Sequence, residues 1–268
     1  MNKLHNPTEI FGFPPSNKTK KANKIRTAYW CPFTEQGCAK VSRLLDRPFG
    51  ICSVWHTGTP RIICPNRFYF SKNELLRRVA SDFIGFDEIH LVPEVELSGF
   101  GDVDWVAYKS EKNEIMDFCG MEIMADSTTQ TGELVKAWKD FFSRNLSDRY
   151  GYGMNTYNTI KLSFTQILNK GQVFEHWKKY YVWILQDVLF SNLVERFGLG
   201  ISKGVRKGKW IIFATMTMER KGNTYVVKPN EMFSSSINEL LKAYNRVDIP
   251  SIEGFIEIIK RKANLNKF

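Results

Sequence analysis

A mixed α/β (α+β) fold with a cysteine-rich module in front of it is the architecture this sequence predicts. Three observations carry that expectation. The stretch from Ser71 to Leu185 reads as helix, three strands, helix, an intervening segment and a further strand. Four of the five cysteines fall between residues 31 and 64, where Gly and Pro interrupt short apolar runs and no helical period is sustained. The 268 residues are 43% hydrophobic and 14% aromatic, enough to bury a core and too apolar for a disordered chain.

Residues 1–25 are polar, rich in Asn, Lys and Pro, and are expected to form a basic arm. Residues 26–70 form the cysteine module, built from irregular loops and short hairpins. Residues 71–268 form the main domain. It opens with SKNELLRRVASDFIGF, where Ser71 and Glu74 make a capping box and Leu75, Leu76 and Val79 supply an apolar face. EIHLVPEVEL, DVDWVAYKS and EIMDFCGMEIMA follow with strand character, and Ser110–Asn113 is the tight connection between the second and third. Gly132 to Leu146 reads as a helix with Leu134, Val135, Trp138, Phe141 and Phe142 on one side. Tyr180 to Leu185 is a buried strand, and Asp187 is placed to cap a helix running to Phe197. Trp210–Met218 and Thr224–Lys228 make a hairpin around Lys221-Gly-Asn, and two helices close the chain, the first opened by a Ser236/Glu239 capping box.

No run approaches the roughly 18 uninterrupted apolar residues of a membrane span; the most apolar one, Tyr180 to Phe190, contains Gln186 and Asp187. The first residues, MNKLHNPTEIFGFPP, contain no apolar signal region, so a soluble cytoplasmic protein with no membrane partner is expected. The formal net charge is +10, which favours polyanions. The charge is local. Between Ser16 and Leu44 seven basic residues, among them Lys20, Lys21, Lys24 and Arg26, stand against Glu35 alone. SKGVRKGK adds Lys203, Arg206, Lys207 and Lys209 without an acid. Either cluster alone also reads as a solvated loop.

The cysteine spacing is Cys31-x6-Cys38-x13-Cys52-x11-Cys64. Four thiolates satisfy a tetrahedral metal and close three loops around it, which would order a segment poor in apolar residues. Buried structural thiols and disulfides are the alternatives, and an odd cysteine count argues against the latter. Cys119 reads as a buried strand residue. His56 lies between two of the cysteines and reads as a neighbour of the site rather than a fifth ligand.

Metal-dependent phosphodiester cleavage needs two carboxylates converging on Mg²⁺. Asp104 stands near the start of one strand and Glu122 in its hairpin partner, and Met124, two residues on, points to the same face. Glu94, on the preceding strand, is a further candidate ligand. The helix–three strands–helix–strand order around this pair matches the nuclease core known as PD-(D/E)XK.

CPFTEQGC, ICSVWHTGTPRIICPNRF, LVPEVEL, GDVDWVAYKSEKNEIMDFCGMEI and KLSFTQILNKGQVFEHWKKYYVWILQD, in that order, resemble the NotI-type restriction endonucleases over most of residues 31–187. The resemblance implies a type II restriction endonuclease: a homodimer with a PD-(D/E)XK core and Mg²⁺-dependent, sequence-specific cleavage of double-stranded DNA, without a nucleotide cofactor. It also implies a structural iron held by Cys31, Cys38, Cys52 and Cys64, where the thiolates by themselves suit zinc equally. Asp104 and Glu122 take the catalytic positions, with Glu94 as a third. Met124 departs from the family, which has Gln there in place of the usual Lys, and a thioether cannot donate a hydrogen bond. Lys161, in TIKLSFTQ, is the substitute this reading nominates; the competing reading is a non-catalytic DNA-binding protein on the same fold. Lys20, Lys21, Lys24, Arg26, Lys203, Arg206 and Lys207 are the expected phosphate contacts. Trp138, Trp177, Trp183 and Trp210 are expected in the core.

Overall fold

The computed structural model describes residues 5–85, 88–245 and 251–265. The chain begins with β1 (Pro7–Ile10), α1 (Lys20–Thr27), the two-residue strands β2 (Trp30–Cys31) and β3 (Gln36–Gly37), then β4 (Ile51–His56) and β5 (Thr59–Ile62). A short 3-10 turn, Pro65–Phe68, leads into α2 (Phe70–Ile84), β6 (His90–Leu97), β7 (Gly101–Glu111) and β8 (Glu114–Met124). After β9 (Thr128–Thr129), α3 (Thr131–Phe142) and β10 (Gly153–Met154) comes α4 (Thr156–Trp177), then β11 (Tyr181–Gln186) and α5 (Asp187–Phe197). The chain ends with β12 (Ser202–Lys203), β13 (Ile211–Lys221), β14 (Thr224–Ser235), α6 (Ile237–Tyr244) and α7 (Ile252–Leu265).

Seven strands make one mixed sheet in the order β12-β14-β13-β11-β8-β7-β6. Strand β11, YVWILQ, is buried at every position and runs parallel to both β8 and β13. A strand covered on both faces needs a continuous apolar run rather than alternation, and this one has it. The β7–β8 connection is tight because Lys112 and Asn113 both adopt positive φ, the geometry of the primed hairpin turns.

The two faces of the sheet carry separate cores. On one, α2 packs Leu75, Leu76, Val79 and Ala80 against Ala107, Cys119, Met121, Val182 and Ile184. On the other, α4, α5 and α6 bring Phe164, Ile167, Phe174, Leu189 and Leu240 against Val103, Met124, Trp183 and Leu185. Helix α4 lies close to β8 because Gly120 has no side chain: a Cβ there would sit 2.4 Å from the Phe174 ring. That approach sets the depth of the site described below.

Several expectations are corrected. The basic arm expected over residues 1–25 is held where it is described: β1 is buried throughout and pairs with β4, the centre of a three-stranded sheet β1-β4-β5. The boundary at residue 70 is not a boundary of cores either. Ile10, Phe11, Ile51 and Val54 pack with Leu134, Val135 and Trp138 of α3 and with Tyr150 and Tyr152. Helix α2 starts at Phe70, so Ser71 lies inside it rather than capping it. Asp187 is the first residue of α5, not its cap. The intervening segment contains the longest helix among the described residues, the 22-residue α4. The Ser236/Glu239 capping box forms as expected.

Candidate active site

The last paired residues of the β7–β8 ladder at this end are Trp105 and Met121, so Asp104 and Glu122 come next along it and share a face. Asp104 Oδ2 accepts a hydrogen bond from the backbone N–H of Ile123 at 2.9 Å. Glu122 is 4% exposed, and its Oε1 accepts from Lys170 Nζ at 2.7 Å and from the Tyr181 hydroxyl at 2.9 Å. Lys170, on α4, also donates to the carbonyl of Asp102. Asp104, Glu122, Met124 and Lys170 line one cavity of about 440 Å³, with Gln166 and Asn169 from α4 completing its polar wall.

Burial, and then the negative charge of Asp104, push the Glu122 carboxyl up to about 7; Lys170 and Tyr181 oppose the shift. The Tyr181 hydroxyl is raised by burial and by Glu122, and stays a proton donor to it. A buried acid beside a second acid and an ammonium, all facing one cleft, makes this cleft the candidate functional site.

The other nominated residues fall elsewhere. Lys161 is exposed and lines a different cleft. It precedes Lys170 by nine residues on the same helix, which at about 100° per residue puts the two on opposite faces. Glu94 stands opposite Asp104 between the pairs Pro93/Trp105 and Val95/Val103, but its φ of 50° breaks the ladder there and it lies outside the cavity wall. Met124 lines the cavity while packing into the apolar cluster beneath it. Lys170 is the residue that sequence reasoning missed. The sequence carries the helix face but not the pairing: Ile160, Phe164, Ile167 and Phe174 recur at helical spacing, and the lysine falls beside that stripe.

In the N-terminal module Cys31, Cys52 and Cys64 share a buried cluster with Phe33, and Cys38 packs against it. Lys40 reaches into the same place, donating to the carbonyls of Ile51 and Ile63 at 3.1 and 2.8 Å, with the Cys64, Cys52 and Cys38 sulfurs as its charge neighbours. Burial raises the Cys38, Cys52 and Cys64 thiols, and Lys40 opposes the shift at each. The donors match a thiophilic ion in kind. Among the described residues, however, no group of three or more His, Cys, Asp or Glu side chains stands as a metal-holding set. Beneath the cluster a fully buried pair joins Arg67 to Glu9 at 2.9 Å, with Ser53 donating to Glu9.

Of the expected phosphate contacts, Lys20, Lys21 and Lys24 are exposed along α1, and Arg206 and Lys207 are exposed beside β12. Lys203 is exposed but paired with Glu231. Arg26 is a correction. It is 4% exposed and its guanidinium donates to the carbonyls of Ile10, Phe13, Pro14 and Asn17, so its donors are spent on holding a loop. Trp138 and Trp183 are core residues and Cys119 is fully buried, whereas Trp177 is 46% exposed. His56 hydrogen-bonds His5 at 2.7 Å. Among the described residues no helix is long and apolar enough to cross a membrane. No protein-family model matches the chain, and no curated protein is detectably similar to it.

Proposed function

We propose that the chain is a Mg²⁺-dependent type II restriction endonuclease of the PD-(D/E)XK class, acting as a homodimer on double-stranded DNA. The observation that carries this reading is the buried Lys170–Glu122 pair with Asp104 next along the ladder, all facing one cleft. Glu122 Oε1 is engaged by Lys170 and Tyr181, and Asp104 Oδ2 by a backbone N–H; each carboxylate keeps its other oxygen for an ion. Two carboxylates plus water and phosphate oxygens are what Mg²⁺ takes. Bound there, it supplies neutralisation of the charge developing on phosphorus and a more acidic water.

Each side chain then has a defined task. Lys170 fixes the Glu122 carboxylate and presents an ammonium to the cleft, the donor that Met124 cannot be. Tyr181 fixes Glu122 from the other side. Gln166 and Asn169 offer amides to a phosphate oxygen or a water. Lys20, Lys21, Lys24, Arg206 and Lys207 hold the DNA backbone. The cysteine cluster serves as a scaffold for the module, with iron or zinc as its structural ion, and takes no part in the chemistry.

The second reading, a non-catalytic DNA-binding protein, is favoured by Met124, whose side chain fills the cleft floor with apolar surface. Incubation of plasmid DNA with the protein and Mg²⁺ separates the two. Discrete fragments, lost with EDTA and in Asp104→Asn, support restriction. A smear indicates a non-specific nuclease, and intact plasmid with a gel shift indicates a binder.

A further inference from the structure

Among the described residues helix α7 carries the largest run of exposed apolar side chains. Ile252, Phe255, Ile256, Ile258 and Ile259 are between 41% and 69% exposed, and none belongs to a buried core cluster among the described residues. On a helical wheel Ile252, Phe255, Ile256, Ile259 and Ala263 fall within an arc of about 100°, the width of a core-facing stripe. A stripe of that width left in water marks a docking face.

Charge along α7 says what docks there. The acids Glu253 and Glu257 occupy its first half, and Lys260, Arg261 and Lys262 its second; Lys260 bonds Glu257 of its own helix at 2.8 Å, an exposed pair it can share with an acid of a partner. Paired with a parallel copy, like charges meet at both ends; paired with an antiparallel copy, acidic half meets basic half twice over. An antiparallel arrangement is also the one that a two-fold axis perpendicular to the helix produces, with the same patch used on both subunits.

We propose that α7 is the contact surface between two copies of this chain, packed antiparallel across a two-fold axis. Ile252 of each copy meets Ile259 of the other, Phe255 meets Ile256 near the axis, and Glu253 flanks Lys260. This adds the surface by which two subunits meet to the nuclease reading, and rests on α7 rather than on the cleft. A pair of 14-residue helices, about 21 Å long, buries less than the ~1,200–2,000 Å² of a standard stable interface. Association is therefore expected in the micromolar range.

Sedimentation equilibrium of the full chain from 1 to 100 μM, on the order set by that interface size, is the test. The expected result is a reversible monomer–dimer equilibrium. Ile256→Glu raises the dissociation constant at least about tenfold with an unchanged far-UV spectrum, since α7 is exposed and its substitution leaves both cores intact. Glu253→Lys and Lys260→Glu each weaken the dimer about threefold, and the double variant restores it, because both contacts are swapped together. A chain still monomeric at the highest concentration overturns the proposal, as does a dimer indifferent to Ile256→Glu. Failure of the double variant to recover overturns the antiparallel pairing. A dimer that cleaves no DNA leaves this inference standing and removes the nuclease reading instead.

Discussion

Replacement of Lys170 by Met keeps the side chain out to its fourth atom and removes the ammonium that holds Glu122. Glu122 is 4% exposed, and its carboxyl already stands at about 7 with Lys170 in place. Breaking a buried pair while leaving the charge behind costs about 3–5 kcal/mol. Glu122 escapes most of that cost at low pH by taking up a proton, so the penalty must grow with pH. The sign follows from linkage. A carboxyl whose folded pKa lies above its unfolded value destabilises the fold progressively as pH rises from about 4.5, and the loss levels off once the folded pKa is passed. The parent therefore levels off near pH 7, whereas in Lys170→Met the folded pKa is higher and the decline continues. Until that higher pKa is reached each further pH unit widens the gap by up to about 1.4 kcal/mol, so by pH 9 the variant loses at most about 2.7 kcal/mol beyond any constant offset. For a chain of this size that is a Tm gap widening by up to about 5–10 °C between pH 7 and 9. Thermal unfolding followed by circular dichroism at pH 6, 7, 8 and 9 reads it whether or not the protein cleaves DNA. Plasmid cleavage with Mg²⁺ should fall at least about a hundredfold in parallel. Parallel Tm profiles for parent and variant would refute the coupling of Lys170 to Glu122.

Other outcomes follow from the same geometry. Lys161→Ala should cleave at the parental rate, since that residue faces the opposite side of α4; a large loss in plasmid cleavage would restore it to the site. Arg26→Met, which removes donors from four carbonyls, should lower stability by roughly 3 kcal/mol in urea unfolding without altering the salt dependence of DNA binding. Converting Lys20, Lys21 and Lys24 to Gln together should do the reverse: unchanged stability, and a slope of log K against log salt reduced by about 3 in a binding titration. Elemental analysis of purified protein should show a thiophilic ion that is lost in Cys52→Ala and Cys64→Ala, with a drop in Tm; metal-free yet fully stable protein would make the cluster a set of structural thiols. The Cys119 thiol, pushed up to about 12 by burial and fully enclosed, should resist iodoacetamide at pH 8 until the sheet unfolds.

Much of the sheet was legible because its strands advertise themselves locally. The alternation of Asp102 to Ala107, the unbroken run of β11, and the turn at Lys112-Asn113 each need only a few neighbouring residues to explain them. Asp104 and Glu122 were legible for the same reason, since a hairpin fixes which residues face each other. Lys170 was not, because its role depends on how α4 lies across β8, and that is decided by Gly120 and Phe174 some fifty residues apart. Arg26 was misread because charge in a sequence does not distinguish a guanidinium in water from one bound by four carbonyls.

Local chemistry in the chain therefore determined the strands, the caps such as Ser236 and the facing carboxylates. All of these rest on periodicity or short-range stereochemistry. Tertiary packing alone decided that the N-terminal residues join the module sheet, that Lys170 rather than Lys161 meets Glu122, and that α7 keeps its apolar face exposed. These depend on burial and on distances between residues remote in sequence, which side-chain type by itself does not encode.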